Sequence, residues 1–314
     1  MIPRILATLL LAVLTLASAP GAHAANGPAA YAIIDHTTGF LLEGSNPQRK
    51  LQVGSLTKIA TAAVVLDWAE AKSADLNEMT TVPESAGPLN PAGNGVGLHP
   101  GDRVSLRDLL YAALMQSDNQ AAETLAHYVG AELGAGQLGP VGTFVAQMNA
   151  LARRLGMRTT RFINPHGLDT LEKTLPYSSA GDMALLTRYA LQRSSFQFFV
   201  SQKERRITIY SAETNAPSNY LLRNTNELLG VDGIDGVKTG TTAKAGQCVI
   251  VSSARPPESR QQGDQVIITP RRIEVVVLGA PDRFAAAREL LARGWRTYDS
   301  WAAAGRPQKG WKPN

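Results

Sequence analysis

Strand-like segments lie at both ends of this 314-residue chain, and helix-like segments fill the middle. Residues 29–51 predict two short strands joined by a turn at His36–Gly39. After about residue 203, β character returns in the stretches ERRITIY, GVKTGTT, QCVIVSSA and RIEVVVLGA. Four stretches between residues 104 and 192 carry helical periodicity instead. This order predicts an α+β fold in which both chain ends form one antiparallel sheet, flanked by helices, with an all-helical lobe inserted.

The domain boundaries follow from these changes of pattern. We expect one domain over residues 25–304, made of a sheet lobe (about 26–75 and 203–304) and a helical lobe (about 76–202). The stretch RPPESRQQGDQ predicts an exposed polar loop between two strands, and DRFAAARELLARGWRTYDSW predicts a closing amphipathic helix. Residues 305–314 predict a flexible tail.

The first 24 residues have the pattern of a secretory signal peptide. The basic start Met1–Arg4 precedes the apolar run ILATLLLAVLTLA, and Ala22 and Ala24 follow in an A-x-A arrangement. Cleavage after Ala24 predicts an exported protein, periplasmic or extracellular and associated with the cell wall; an uncleaved N-terminal anchor is the alternative. No later stretch approaches the roughly 20 apolar residues that span a bilayer, so no transmembrane anchor is expected.

Charge and composition exclude several classes of function. The formal charge of +5 is only mildly basic, and no block of Lys or Arg alternates with aromatic residues, so nucleic acid is not an expected partner. The single cysteine, Cys248, excludes an internal disulfide. The five histidines form neither H-x-x-x-H nor H-E-x-x-H, and no phosphate-binding glycine motif follows a strand. We therefore expect neither a metal nor a cofactor.

The helix that follows Ser55 is apolar on all sides but contains a lysine, Lys58. Such a helix is buried all round, and a charged lysine is costly to bury. Positions i and i+3 share a helix face, so the amine can reach the Ser55 hydroxyl. Burial lowers the pKa of a lysine, and a neutral amine can take the serine proton. The pattern is consistent with an activated serine nucleophile, although S-x-x-K alone fits helix capping by Ser55 with an outward lysine better.

Two further motifs strengthen the nucleophile interpretation. MQSDNQAA places Ser117 and Asn119 in a link between two helices, and GVKTGTT places Lys238–Gly240 on a strand. The patterns S-x-x-K, S-x-N and K-T-G each occur once in the chain and in that order. This trio is typical of penicillin-binding proteins and class A β-lactamases.

With these motifs, the stretches SLTKIATAAVVLD, RFINPHGLD, YSSAGDMALL, LRNTNELL and GVDGIDGVKTGTTAKAGQCVIVSSA resemble the serine-type D-alanyl-D-alanine carboxypeptidases. These are the low-molecular-mass penicillin-binding proteins of peptidase family S11, and the resemblance runs from about Ala30 to Trp301. It implies a β-lactamase/transpeptidase-like α+β fold and removal of the terminal D-alanine from peptidoglycan stem peptides. It also implies an acyl-enzyme on Ser55, with β-lactam antibiotics as covalent inhibitors.

The resemblance implies a role for each residue that acts in acyl transfer. Ser55 would attack the carbonyl between the last two D-alanines, and Lys58 would take its proton. Ser117 would relay a proton toward the departing amine and later help activate water, while Asn119 would hydrogen-bond Lys58 and the substrate amide. The N–H groups of Ser55 and Thr241 would form the oxyanion hole, where loss of one donor typically costs about 10²–10³ in rate.

It also implies how the substrate is held along the strand. Lys238 would attract the terminal carboxylate, and Thr239 would hydrogen-bond it. Gly240 would let the strand backbone approach the substrate closely. Thr242 would add a carboxylate contact. Arg272 matches a position where family members often carry an arginine, and it is either a carboxylate clamp or an ordinary charge at a strand end.

Several departures and alternatives remain. His166 in NPHGLD is interpreted as part of a structural turn, and Asp118 stands where many carboxypeptidases have glycine. Many relatives carry an extra β-rich domain and an amphipathic C-terminal membrane anchor. The stretch WAAAGRPQKGWKPN is too short and too polar to be such an anchor. A D,D-endopeptidase that cuts cross-links with the same site is therefore an alternative.

A β-lactamase and an inactive peptidoglycan-binding module are weaker alternatives. Class A β-lactamases use a glutamate in an E-x-x-L-N element, and no glutamate between S-D-N and K-T-G begins one. We therefore expect slow deacylation and inhibition by penicillins. The complete set of motif residues speaks against an inactive module.

Overall fold

The computed structural model describes residues 27–87, 89, 95–169 and 174–309. The strands within these residues are β1 Ala30–Asp35, β2 Leu41–Ser45, β3 Met79–Thr81, β4 Arg103–Ser105, β5 Glu204–Tyr210, β6 Pro217–Arg223, β7 Ile234–Thr242, β8 Gly246–Gln262 and β9 Gln265–Ala280. The α-helices are α1 Lys58–Lys72, α2 Leu106–Tyr111, α3 Asn119–Glu132, α4 Gly139–Arg154, α5 Ala180–Leu191, α6 Ser194–Ser201 and α7 Arg283–Ala303.

The larger sheet joins both ends of the chain, as the sequence predicts. Its strand order is β2-β1-β9-β8-β7, and every neighbouring pair is antiparallel. β1 pairs with β9 in continuous register from Ala30 opposite Leu278 to Asp35 opposite Ile273. The predicted α+β fold is thereby confirmed, and β7, which carries the K-T-G motif, lies at the edge of this sheet.

Buried side chains alternate between the two faces of this sheet. Val249, Val251 and Val275 belong to the core under α7, whereas Ile250 and Val276 belong to the core around α1. The residues of α1 from Lys58 to Leu66 are all buried, which confirms the all-round burial expected of this helix. The large sheet is thus covered by α7 on one face and by the helical lobe on the other.

A second sheet differs from the prediction of a single one. Its order is β3-β4-β5-β6, so β5 and β6 pair with strands of the region predicted to be all-helical rather than with the large sheet. β3 and β4 have three residues each, too short for an alternating pattern, and Val104 is the one buried residue among them. Sequence periodicity therefore does not predict β3 and β4, and so it could not show that β5 pairs with β4 rather than with the large sheet.

The stretch RPPESRQQGDQ is not a loop, which corrects the sequence prediction. β8 and β9 continue as a hairpin paired from Glu258 opposite Thr269 to Gln262 opposite Gln265, with a two-residue turn at Gly263–Asp264. Gly263 has φ +61, which suits the mirror-image turns that close two-residue hairpins. The β8 half of the hairpin is polar and exposed on both faces, so it lacks the alternation of apolar and polar residues that predicts a strand.

The chain termini are described in part. The predicted signal peptide lies outside the described residues, as do residues 310–314. The first part of the predicted flexible tail contacts the body: Trp301 Nε1 donates to the Pro307 carbonyl at 2.9 Å, and Arg306 pairs with Glu258 at 2.7 Å. In the described part of the chain, no helix is both long and apolar enough to cross a membrane.

Candidate active site

Ser55 lies on a 3₁₀ turn, Gly54–Thr57, that leads directly into α1. Strand β7 packs against this turn: a Cβ added to Gly240 would lie 2.7 Å from the Val53 carbonyl oxygen. Only glycine permits so close an approach of two backbones. The turn that carries the serine and the K-T-G strand are therefore held in direct contact.

The Lys58 side chain is fully buried and bonded on three sides. Its Nζ donates to Ser55 Oγ at 3.0 Å, to Asn119 Oδ1 at 2.6 Å and to the His166 carbonyl oxygen at 2.9 Å. The predicted nucleophile, base and S-x-N asparagine thus meet at one nitrogen. The inward position excludes the alternative in which Lys58 reaches out to solvent.

Desolvation by burial lowers the pKa of Lys58 to about 7, and the nearby Asp118 carboxylate acts in the opposite direction. A neutral amine has two N–H donors and one lone pair. With Asn119 and the His166 carbonyl taking the two donors, the lone pair is left for the Ser55 hydroxyl. The surroundings therefore support a lysine that can accept the serine proton near neutral pH.

The S-x-N link has an unusual backbone that Asp118 stabilises. Ser117 ends the π-helical segment Ala112–Gln116 in the left-handed region, with φ +67, and α3 begins two residues later. Asp118 is fully buried: its Oδ1 accepts from the Ala121 amide at 2.7 Å and its Oδ2 from the Val96 amide at 2.8 Å. These bonds fix Asn119 toward Lys58. The structure describes no hydrogen bond of the half-buried Ser117 hydroxyl.

Lys238 is buried, and its Nζ donates to the Thr239 carbonyl at 2.9 Å. Burial, followed by the charges of Lys58 and Arg283, lowers the pKa of Lys238 well below its usual range. A bound carboxylate would favour its charged form again. The Thr241 amide nitrogen lies 3.3 Å from where a Cβ of Gly54 would be, so it adjoins the serine turn.

Two predicted substrate contacts are not supported by the structure. Arg272 is not available as a carboxylate clamp, because both its terminal nitrogens bond Asp235 at 2.7 Å. Asp235 lies at the start of β7, away from the K-T-G motif, and it holds the Arg272 guanidinium there. No spacing in the sequence predicts this ion pair. The Thr242 hydroxyl donates to Asp169 Oδ2 and accepts from the Ala245 amide, so it has no proton left for a ligand.

Other residues that shape the site were missed from sequence. Arg283, at the start of α7, donates to the Gly240 carbonyl at 3.0 Å, and Thr225 bonds the Thr239 hydroxyl at 2.6 Å. Thr225 lies in LRNTNELL and Asp169 in RFINPHGLD, two stretches that resemble the family. That resemblance was the only feature of the sequence that pointed to either residue.

His166 has the structural role expected of it. Burial lowers its pKa to about 3, so the imidazole is neutral, and its Nδ1 accepts from the Leu168 amide at 3.2 Å. Its carbonyl, rather than its ring, holds Lys58.

A serine bonded to a buried lysine at a helix start, beside a K-T-G edge strand, is typical of penicillin-binding proteins and class A β-lactamases. The family model described as D-alanyl-D-alanine carboxypeptidase, peptidase S11, matches residues 15–263. The chain belongs to this family.

Relatives and solved structures agree with the family match. The D-alanyl-D-alanine carboxypeptidase DacC of Escherichia coli is 34% identical over 86% of this chain and 62% of its own length. A D-alanyl-D-alanine endopeptidase of Pseudomonas aeruginosa is 32% identical over 70% of this chain and 64% of its own. A Streptomyces DD-transpeptidase structure superimposes with a TM-score of 0.72 at 26% identity, covering 86% of this chain and 97% of that one. The chain spans about three fifths of the length of the curated relatives it matches.

Proposed function

We propose that this protein is a serine D,D-carboxypeptidase that removes the terminal D-alanine from peptidoglycan stem peptides and acts outside the cytoplasmic membrane. The observation that carries the proposal is the 3.0 Å bond between Ser55 Oγ and the fully buried Lys58 amine. Membership of the D-alanyl-D-alanine carboxypeptidase family supports the choice of substrate.

Acylation uses the neutral form of Lys58. The amine accepts the Ser55 proton as Oγ attacks the carbonyl carbon between the two D-alanines. The amides of Ser55 and Thr241 stabilise the oxyanion, since both adjoin the same turn. Collapse of the tetrahedral intermediate breaks the peptide bond, and the leaving amine takes a proton passed from Lys58 through Ser117.

Strand β7 binds the substrate as an added strand. It is the last strand of the large sheet, so one of its edges pairs with no other strand of that sheet among the described residues, and its face at Gly240 packs against the serine turn. An extended peptide on such an edge gains main-chain hydrogen bonds. Lys238 and Thr239 then meet the terminal carboxylate, and water hydrolyses the acyl-enzyme on Ser55 in the second half of the reaction.

A D,D-endopeptidase is the second candidate, favoured by the match to the Pseudomonas aeruginosa endopeptidase. Mass analysis of products separates the two. The purified chain is offered monomeric pentapeptide muropeptides and cross-linked dimers side by side. Loss of one alanine from the monomer supports the carboxypeptidase, whereas conversion of dimers to monomers alone assigns the endopeptidase.

The same site predicts covalent labelling by penicillins. A fluorescent penicillin should label the wild type and leave Ser55→Ala unlabelled, because the acyl bond forms on the serine oxygen. An unlabelled wild type would contradict the proposed activity and favour an inactive binding module. Rapid penicillin turnover, at many molecules per second, would assign a β-lactamase instead.

The pKa of Lys58 predicts how acylation depends on pH. Because that pKa is lowered to about 7, the neutral amine is the minor form below pH 7 and the major form above it. The rate of penicillin acylation should fall about tenfold per pH unit below 7 and level off above it. Stopped-time labelling between pH 5 and 9 measures this. A flat profile through pH 7 would contradict the role of Lys58 as base.

A further inference from the structure

We propose that Thr225 is a positioning residue for carboxylate recognition: its hydroxyl and that of Thr239 turn as a pair when an anion binds. The inference rests on the proposed function, in which Thr239 meets the carboxylate of the substrate. Thr225 belongs to LRNTNELL, a stretch to which the sequence assigned no chemical role.

The Thr225 residue bridges two elements of the site. Its Oγ1 lies 2.6 Å from Thr239 Oγ1 on β7, and it donates to the Met115 carbonyl oxygen at 3.2 Å. The Thr225 amide donates to the same carbonyl at 2.9 Å. Met115 lies two residues before Ser117, in the π-helical segment. One side chain therefore touches both the K-T-G strand and the segment that leads into the S-x-N motif.

A count of protons links the directions of these two bonds. A hydroxyl has one hydrogen to donate, and a carbonyl oxygen can only accept. When Thr225 donates to Met115, it has no hydrogen left, so Thr239 must be the donor in the 2.6 Å bond. In this state the Thr239 hydrogen points inward, and the hydroxyl offers only lone pairs to a ligand. Those lone pairs would repel a carboxylate.

Binding of a carboxylate requires both hydroxyls to turn. Thr239 gives its hydrogen to the anion, and Thr225 then gives its own hydrogen to Thr239. The Met115 carbonyl loses one donor but keeps the Thr225 amide at 2.9 Å, so no buried carbonyl is left unpaired. The turn costs little for this reason, and the resulting chain of two hydroxyls strengthens the bond to the anion.

The neighbours of Thr225 hold its backbone still. Asn226 Nδ2 donates to the Gly236 carbonyl on β7 at 2.9 Å, and Asn224 Nδ2 donates to the Gln202 carbonyl at 3.0 Å. The Asn226 amide also donates to Asn224 Oδ1 at 2.9 Å. With both flanking asparagines anchored, only the hydroxyl hydrogens need move. The three residues N-T-N are therefore suited to precise presentation of one hydroxyl.

The test compares probes with and without a carboxylate. Benzylpenicillin carries the carboxylate, and its methyl ester is the neutral counterpart. We expect Thr225→Val, which removes the hydroxyl at constant shape, to slow acylation by benzylpenicillin about tenfold, because Thr239 would then bind the anion without the hydrogen bond from Thr225 that holds and polarises its hydroxyl. Acylation by the methyl ester should change less than about twofold, because no anion is recognised. Mass spectrometry of the covalent adduct gives both second-order rate constants.

Two controls separate this role from a structural one. Thr225→Ser keeps the hydroxyl and should restore the benzylpenicillin rate, whereas Thr208→Val removes a threonine hydroxyl bonded to Asn219 on the exposed side of β5 and should change neither rate. Thr225→Ala gives the same comparison if the valine variant does not fold.

Equal losses with both probes would overturn the proposal, as would a serine variant as slow as the valine variant. These outcomes differ from failure of the proposed function, which would appear as a wild type that neither probe acylates.

Discussion

Replacing Lys58 by alanine is expected to slow acylation of Ser55 by penicillin about 10²–10⁴-fold, the usual contribution of a positioned general base. The Lys58 amine is the group bonded to Ser55 Oγ. Its other two partners are the side-chain oxygen of Asn119 and the carbonyl oxygen of His166, and neither is basic enough to accept the Ser55 proton in its place. The rate of covalent labelling, followed by mass spectrometry, measures the effect. Lys58→Arg should fare little better, since a guanidinium stays protonated.

The matched control is Lys72→Ala, at the exposed C-terminal end of the same helix, which should acylate at the wild-type rate. Melting temperatures establish that each variant is folded. An acylation rate of folded Lys58→Ala within tenfold of wild type would remove Lys58 as the base. In that case the proton of Ser55 would have to pass to another group, and Ser117 would be the next to replace.

Replacing Gly167 by alanine is expected to reduce acylation about 10²-fold, although Gly167 touches no substrate. Gly167 has φ +84, and a Cβ there would overlap the carbonyl of Gly54 and lie 2.8 Å from Thr57 Oγ1. Both neighbours belong to the turn that carries Ser55. To make room, the turn or the NPHGLD stretch must shift, which disturbs the Ser55 hydroxyl and the His166 carbonyl that holds Lys58. Labelling rate and melting temperature are measured together.

Gly263→Ala separates displacement from backbone strain. Gly263, at the hairpin turn, has φ +61, but a Cβ there meets nothing within 4 Å. It should carry the cost of a left-handed alanine, about 1–3 kcal/mol of stability, and acylate normally. If Gly167→Ala lost stability to the same extent but labelled at the wild-type rate, close packing of NPHGLD against the serine turn would have no part in catalysis.

The centre of the site could be predicted from sequence because its chemistry is local or written in short motifs. The i to i+3 spacing sets Lys58 beside Ser55 whatever the rest of the fold does, provided a helix forms. The family resemblance supplied Asn119 as a partner of Lys58, and the structure has this bond at 2.6 Å. Gly240 was predicted to allow close approach of the substrate, and the close approach that the structure shows is to the serine turn.

The rest could not be predicted, because it depends on which distant group competes for a side chain. Asp235 takes Arg272, and Asp169 takes the Thr242 hydroxyl, across separations that no spacing rule covers. The role of Thr225 rests on the Met115 carbonyl, which is a backbone atom and leaves no trace in the residue types. The hairpin of β8 and β9 was not predicted because its β8 half, residues 255–262, is polar on both faces and contains two prolines.

The pairing of β1 with β9 has a consequence for when activity arises. Every motif residue lies before β8, so a polypeptide ending at the hairpin tip already holds the nucleophile, the base and the K-T-G strand. It would still lack the central strand that joins β1 to β8, and the sheet would remain in two pieces. Contacts between strands as far apart in sequence as β1 and β9 form slowly and late in folding. Newly made chains should therefore stay inert until β9 has been synthesised and has paired with β1, and reactivity should then appear in one step rather than by degrees.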